Sequence, residues 1–283
     1  LSPTTSSGVP VTIDFTAPVG QVVFASGFSF TGQDNLYGFS GISIDAAFTS
    51  VNNCILSANF SDNESGLAIS WNNFVINRVH FGNDFGGDPG SSVTWDRYWK
   101  DNAQLNINED STNTINMKYR ITCAVANKTG IVYQDRPKYV IIDNIKPGIT
   151  KFDINESNRF KNYKPSSRNF IQFQDLELVW TASDNVFNSE PALFNNKNHQ
   201  GIHHYQLYYN KPQENPALWN SISSSIEPTL NNEIIITEGY LLDEIKEGKI
   251  MFRLFAFDFA SNSASSDIGP FYMDLNNTIT LTR

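Results

Sequence analysis

Cations are scarce in this chain: 20 Lys and Arg stand against 29 Asp and Glu, a net charge of −9 over 283 residues. Proteins that grip a phosphate backbone gather Lys and Arg on one face, so this balance argues against a nucleic-acid partner. Its plain reading is solubility. No run of about 18 apolar residues occurs, so nothing here inserts into a membrane as a helix. A sustained 3.6-residue apolar period is missing as well. The best helical stretch, Tyr240 to Gly248, amounts to about two turns.

Catalytic sets are also lacking. The sequence holds no Gly-x-Ser-x-Gly elbow, His-Glu-x-x-His helix or phosphate loop. Carboxylate pairs suited to hydrolysis arise in any acidic chain and carry no weight alone. The histidines are His80, His199, His203 and His204. The adjacent pair should point to opposite faces of a strand, the wrong geometry for sharing a metal. These features predict a protein that is not an enzyme.

What is present favours strands. Phe (21) and Tyr (11) are plentiful, Met (3) is scarce, and Asn, Ser, Gly and Pro punctuate the chain. The length is too great for one ordinary sandwich of about 100 residues and suits two domains. The opening Leu1-Ser-Pro-Thr-Thr-Ser-Ser-Gly8 has linker composition, as expected of a mature or excised fragment.

A repeat places the boundary. Ile13-Asp-Phe-Thr-Ala-Pro18, Ile142-Asp-Asn-Ile-Lys-Pro147 and Met273-Asp-Leu-Asn-Asn-Thr278 resemble one another. Their aspartates, Asp14, Asp143 and Asp274, recur roughly every 130 residues, as in a tandem array. Domain one therefore spans 1–143, with an insertion around 82–100, and domain two spans 144–283, ending in a linker stub. Inside the halves, Asn59-Phe-Ser-Asp-Asn63 echoes Thr181-Ala-Ser-Asp-Asn185, and Tyr119-Arg-Ile-Thr-Cys123 echoes Phe252-Arg-Leu-Phe-Ala256.

Domain two predicts strands at 149–154, 176–182, 203–209, 233–237, 250–259 and 270–274, with Leu176, Leu178 and Trp180 alternating inward. A Trp facing a Tyr-rich strand supplies the bulk of a two-sheet core. This pattern resembles the fibronectin III and bacterial immunoglobulin-like modules of surface proteins. The resemblance implies an all-β fold of two tandem immunoglobulin-like (E-set/fibronectin III-like) β-sandwiches, and it says almost nothing of function. The Asn-rich style and the Asp…Pro linkers are also similar to the EGF-module and immunoglobulin-like surface receptors of social amoebae, the ComC type.

The same alignment sets Cys54 opposite Leu176 and Cys123 opposite Ala256, both inward, on the strands that an antibody domain joins by its inter-sheet disulfide. A bridge closing that loop is worth roughly 4 kcal/mol in the chain-entropy model. It would imply an oxidising, extracellular or cell-surface location. The other reading is two buried free thiols. Glycosylation sequons occur at Asn59, Asn63, Asn127, Asn155 and Asn276. Chance alone predicts about six in a chain of this composition.

Two features could bind something. The loop after the second strand and the loop after the sixth share one end of a sandwich, so Asp62 or Asp184 would approach the Asn127 or Asn262 region. Asp62 and Asp184 are calcium candidates there, and the linker residues Asp143 and Asn144 could also meet an acidic loop from a neighbouring domain to hold the ion. The competing reading is Asx-turns that satisfy loop backbone groups. The other feature is the insertion, where Trp95, Asp96, Tyr98 and Trp99 follow a Gly/Asp/Pro-rich loop, with Arg97 and Lys100 among them. Flat aromatic faces beside planar polar groups suit sugar rings, and equally a protein contact. Packing at the sandwich edge would explain them too. The expected function is non-catalytic recognition or adhesion by a fragment of a larger cell-surface receptor, signalling through a protein or glycan partner. The alternatives are a carbohydrate-binding module and a structural stalk or array repeat.

Overall fold

A computed structural model describes residues 13–32, 38–39, 42–43, 45–50, 53–68, 73–80, 92–95, 104–108, 117–155, 169–171, 175–185, 200–229, 232–246 and 248–273. The chain divides into two compact units, Leu1–Asp143 and Asn144–Arg283.

In unit one, β1 (Val19–Ser26), β6 (Asn53–Ser61) and β9 (Gln104–Asn108) form a three-stranded sheet in the order β1-β6-β9. The second sheet has the order β2-β5-β12-β10-β7-β8. Its strands are β2 (Phe30–Gly32), β5 (Asp45–Thr49), β7 (Asn73–His80), β8 (Ser92–Trp95), β10 (Met117–Ala126) and β12 (Lys138–Ile142). β11 (Val132–Gln134) pairs with β10, and a small ribbon joins β3 (Gly38–Phe39) to β4 (Ile42–Ser43). Neighbours in both sheets are antiparallel except β5 and β12, which run parallel over Lys138↔Asp45 to Ile142↔Thr49.

Unit two repeats this plan. One sheet is β13 (Gly148–Ile154), β15 (Leu176–Ser183) and β18 (Asn232–Ile236). The other runs β14 (Asn169–Ile171), β20 (Ser263–Met273), β19 (Gly248–Asp258), β16 (Ile202–Asn210) and β17 (Trp219–Ile226). β14 again lies parallel to the last strand. A short helical segment, Glu238–Tyr240 widening into a π-turn at Leu241–Ile245, crosses between β18 and β19. It begins two residues before the stretch read from the sequence. The chain is thus all-β, with two facing sheets in each unit, as the resemblance to fibronectin III-like sandwiches implied.

The cores follow from alternation. β15 buries Leu176, Leu178, Trp180 and Ala182 while the residues between them stay outside. Facing them, β16 and β19 contribute Tyr205, Leu207, Phe252 and Leu254. Trp180 meets Tyr205 edge-on at 5.3 Å between ring centroids. In unit one, Val22, Leu56 and Ala58 of the smaller sheet oppose Tyr119, Ile121 and Val125 of β10 and Val140 and Ile142 of β12. Gly20 lets β1 close on β6: its φ is +149°, and a Cβ there would stand 2.0 Å from the Asn59 carbonyl oxygen.

Candidate functional site

The loops at one end of unit one converge on Asn127, which closes the hairpin between β10 and β11. Its N–H donates to the Ile131 carbonyl at 3.0 Å. Its side-chain oxygen accepts from the backbone N–H groups of Ile131 (2.8 Å) and Thr129 (3.1 Å) and from the Thr129 hydroxyl. Its amide Nδ2 donates to the Asp14 carboxylate (2.9 Å), to the Thr16 carbonyl (2.9 Å) and, at 3.4 Å, to Asp62. One fully buried amide therefore ties together the segment before β1, the loop after β6 and the hairpin after β10.

The two aspartates are well supplied with donors. Asp14 accepts from the Ser65 hydroxyl at 2.6 Å and from the Thr16 N–H at 2.8 Å. These donors, Ser65 first, hold its carboxyl far below its ordinary value of 3.8. Asp62 receives the N–H groups of Glu64, Ser65 and Gly66 on one oxygen. Burial opposes its ionised form, but the Ser65 and Gly66 N–H groups and the Asn127 amide outweigh that and lower its carboxyl. The Asp14 contact with Glu64 raises the latter. The arrangement is a set of Asx-turns, with nitrogen and hydroxyl donors doing for the carboxylates what a cation would otherwise do.

A pH consequence follows from Asp14. Its folded-state carboxyl titrates below its unfolded one, so the stabilisation is complete above pH 3.8 and is lost as the pH falls below that value. Between about pH 5 and about pH 2.5, unit one of the wild type should lose more thermal stability than the Asp14→Asn variant does. Equal losses in calorimetric melts of the two proteins would assign no such role to Asp14.

Unit two has the same hairpin with a different occupant. Asp258 N–H donates to the Asn262 carbonyl at 3.1 Å, in the pattern of Asn127 and Ile131. Asp258 accepts from the Asn262 N–H (2.8 Å) and Nδ2 (2.9 Å), and that Nδ2 also reaches the Ile145 carbonyl at 3.3 Å. The buried Asp184 and Asp258 carry carboxylate oxygens within 4.8 Å of each other. Asp184 N–H bonds to the Gln200 carbonyl. Asp143, the last residue of unit one, is buried, and its N–H donates to the Thr49 carbonyl.

Of the other sequence candidates, Trp95 ends strand β8, where its backbone pairs with Phe74. Asp96, Tyr98, Trp99, His199 and Asn276 lie outside the described residues. Among the sequons, Asn59 and Asn63 are exposed, and Asn155 is half-buried with Nδ2 on Glu177 at 2.6 Å. Asn127 is fully buried with its amide committed, so a glycan cannot be attached there without dismantling the loop network.

Cys54 and Cys123 sit in one core cluster, on β6 and β10 of the facing sheets, as free thiols with no bridge between them. Burial pushes the Cys54 thiol up to about 12, and burial followed by the charge of Asp135 raises Cys123 further. Neither carries appreciable thiolate at neutral pH, the form that thiol–disulfide exchange needs. A thiol-reactive dye should label both cysteines only on unfolding, with native labelling slower by about a hundredfold or more. A denatured, unreduced chain with no reactive thiol would instead show that the bridge forms.

Sequence reasoning missed the outer face of the five-stranded sheet in unit two. Arg253 pairs with Asp267 through two bonds of 2.6 and 2.7 Å, and its guanidinium lies 4.0 Å over the Trp219 ring. Tyr208 meets Phe255 edge-on at 5.7 Å, Phe255 and Phe257 stack at 6.2 Å, and His204 stacks on Phe257 at 4.6 Å with planes 2° apart. Asp267 is exposed on β20; the other six are half-buried, in a row across β17, β16 and β19.

The histidine pair also departs from expectation. Pairing of β16 with β19 slips between Ile202↔Asp258 and His204↔Phe257, so His203 is an extra residue in the ladder. This bulge cancels the alternation and brings the two imidazoles together, Nδ1 to Nδ1 at 3.0 Å.

No family model matches the chain, and no curated protein matches it. Solved structures that resemble it include the fibronectin(III)-like modules of CbhA from Clostridium thermocellum (14% identity, 86% of this chain and 95% of that one, TM-score 0.36). Another is the FN1–FN3 region of chicken CNTN1 (10% identity, 85% of this chain and 66% of that one, TM-score 0.31). A third is a tetra-tandem repeat in the extending region of a large adhesion protein (11% identity, TM-score 0.28), where the match covers 88% of this chain and 48% of the other. The resemblance to amoebal receptors gains nothing from these three.

Proposed function

We propose that the chain is a non-catalytic recognition or adhesion segment of a larger extracellular, cell-surface protein, with unit two's outer aromatic face as its contact surface. The observation that carries this reading is Arg253, held by both oxygens of Asp267 and stacked on Trp219, beside Tyr208, Phe255 and Phe257. Arg, Trp and Tyr dominate binding energy at protein interfaces, and a side chain already held in place loses little entropy on binding. The described loops around Asn127 in unit one, by contrast, direct their Asp14, Asp62 and Asn127 side chains at one another.

Beads carrying the whole chain, presented to a panel of cell-surface ectodomains that includes the chain itself, test the assignment. Capture of a partner by the wild type should fall at least about tenfold in Arg253→Ala and Phe255→Ala, the loss of roughly 1.4 kcal/mol or more of contact energy each. Capture unaffected by both substitutions would reject this surface. A glycan array addresses the carbohydrate-binding alternative. Sugar binding that vanishes in Trp95→Ala and Trp99→Ala would replace the protein-contact reading, and silence in both assays would leave a structural array element.

A further inference from the structure

We propose that His203 and His204 form a binding site for a late first-row divalent metal ion, copper(II) in preference to zinc, on the β16 bulge. The argument is geometric. Two nitrogens held about 2.0–2.1 Å from one ion stand about 2.9 Å apart at a right angle and about 3.3 Å apart at a tetrahedral angle. The two Nδ1 atoms are 3.0 Å apart, inside that interval and nearer the square-planar end, which is copper's preference. A regular strand could not place them so, since neighbouring side chains would fall on opposite faces.

Both rings are braced. His204 lies flat on Phe257, and His203 stands edge-on to Phe259 at 5.1 Å. The far nitrogen of His204, Nε2, contacts the Gln206 amide at 3.4 Å, and Gln206 in turn accepts the Tyr208 hydroxyl at 2.9 Å. Ligation through Nδ1 requires the ring proton at Nε2. With the Gln206 amide turned over, its oxygen accepts that proton and its nitrogen donates to the Tyr208 oxygen, so both contacts of Gln206 are kept. The proton now shared between the two Nδ1 atoms moves to Nε2 of His204, and none is released. Water completes the coordination, leaving the ion open on the solvent side.

Copper(II) sulfate, titrated into the full chain in a buffer that does not chelate, is the probe. Calorimetry should find one ion per chain, and electron paramagnetic resonance should show two imidazole nitrogens on it. Zinc chloride should bind more weakly. His203→Ala and His204→Ala should each weaken binding at least about tenfold in proteins that keep the native melting transitions. Gln206→Leu, which removes the contact that orients His204 while leaving both ligands in place, should weaken it several-fold. His80→Ala and His199→Ala should bind as the wild type does. Equal affinity in the His203 and His204 variants, or no copper binding by the wild type at micromolar concentrations, would overturn the proposal.

Discussion

Replacing Trp180 by alanine should cost unit two about 3–5 kcal/mol and leave unit one untouched. Trp180 is 4% exposed, lies on the middle strand of the smaller sheet, and packs edge-on against the fully buried Tyr205. Neighbours on two facing sheets can collapse only partly into the space it vacates, so the cavity penalty adds to the lost burial. For a domain of this size that loss lowers the melting temperature by roughly 10 °C or more. We expect two calorimetric transitions, of which the variant shifts only one. Because each unit has its own core, a shift of both together would show that they do not melt independently.

Asn127→Ala should have a comparable effect on unit one, about 3 kcal/mol or more. The substitution strips donors from the Asp14 carboxylate and the Thr16 carbonyl and removes the acceptor for two backbone N–H groups. Each polar group left buried without a partner costs about 1–3 kcal/mol. Asn127→Asp separates chemistry from shape. Almost isosteric, it sets a third negative charge beside Asp14 and Asp62 where a donor stood, so at neutral pH it should cost at least as much as alanine. An aspartate variant that melts with the wild type would mean that the amide is not the tie we describe.

Much of the fold was legible because inward and outward residues differ in chemistry. β15 reads Leu-Glu-Leu-Val-Trp, and its buried positions are the ones alternation selects. β20 is legible only from Pro270 onward, because its first half, Ser263 to Asp267, holds only small and polar residues and is held by backbone pairing to β19. β17, a serine-rich edge strand, spaces Trp219, Ile222 and Ile226 three and four residues apart, and without a period of two it does not read as a strand. β19 has the opposite difficulty. With Phe252 on one side and Phe255 and Phe257 on the other it is aromatic on both, so the row turned to solvent emerges only once the partner strands are in place. Trp219 and Arg253 meet through folding alone. The meeting of Asp62 with Asn127 was foreseeable from where sandwich loops lie, whereas the histidine bulge depends on how two distant strands slip past each other.

The parallel pairing beside each final strand matters if the protein is ever stretched. Tension entering at the front of unit one and leaving at its back first loads β1, then pulls β5 and β12 in opposite senses along their length. Rungs pulled that way share the strain and break together, whereas an antiparallel pair opened from its end yields one rung after another. Among the described residues, unit one holds five such residue pairs and unit two three. In single-molecule pulling, unit two should therefore rupture first, so that the chain lengthens in two steps while unit one keeps its grip. A single rupture, or the reverse order, would show that the load runs through other strands.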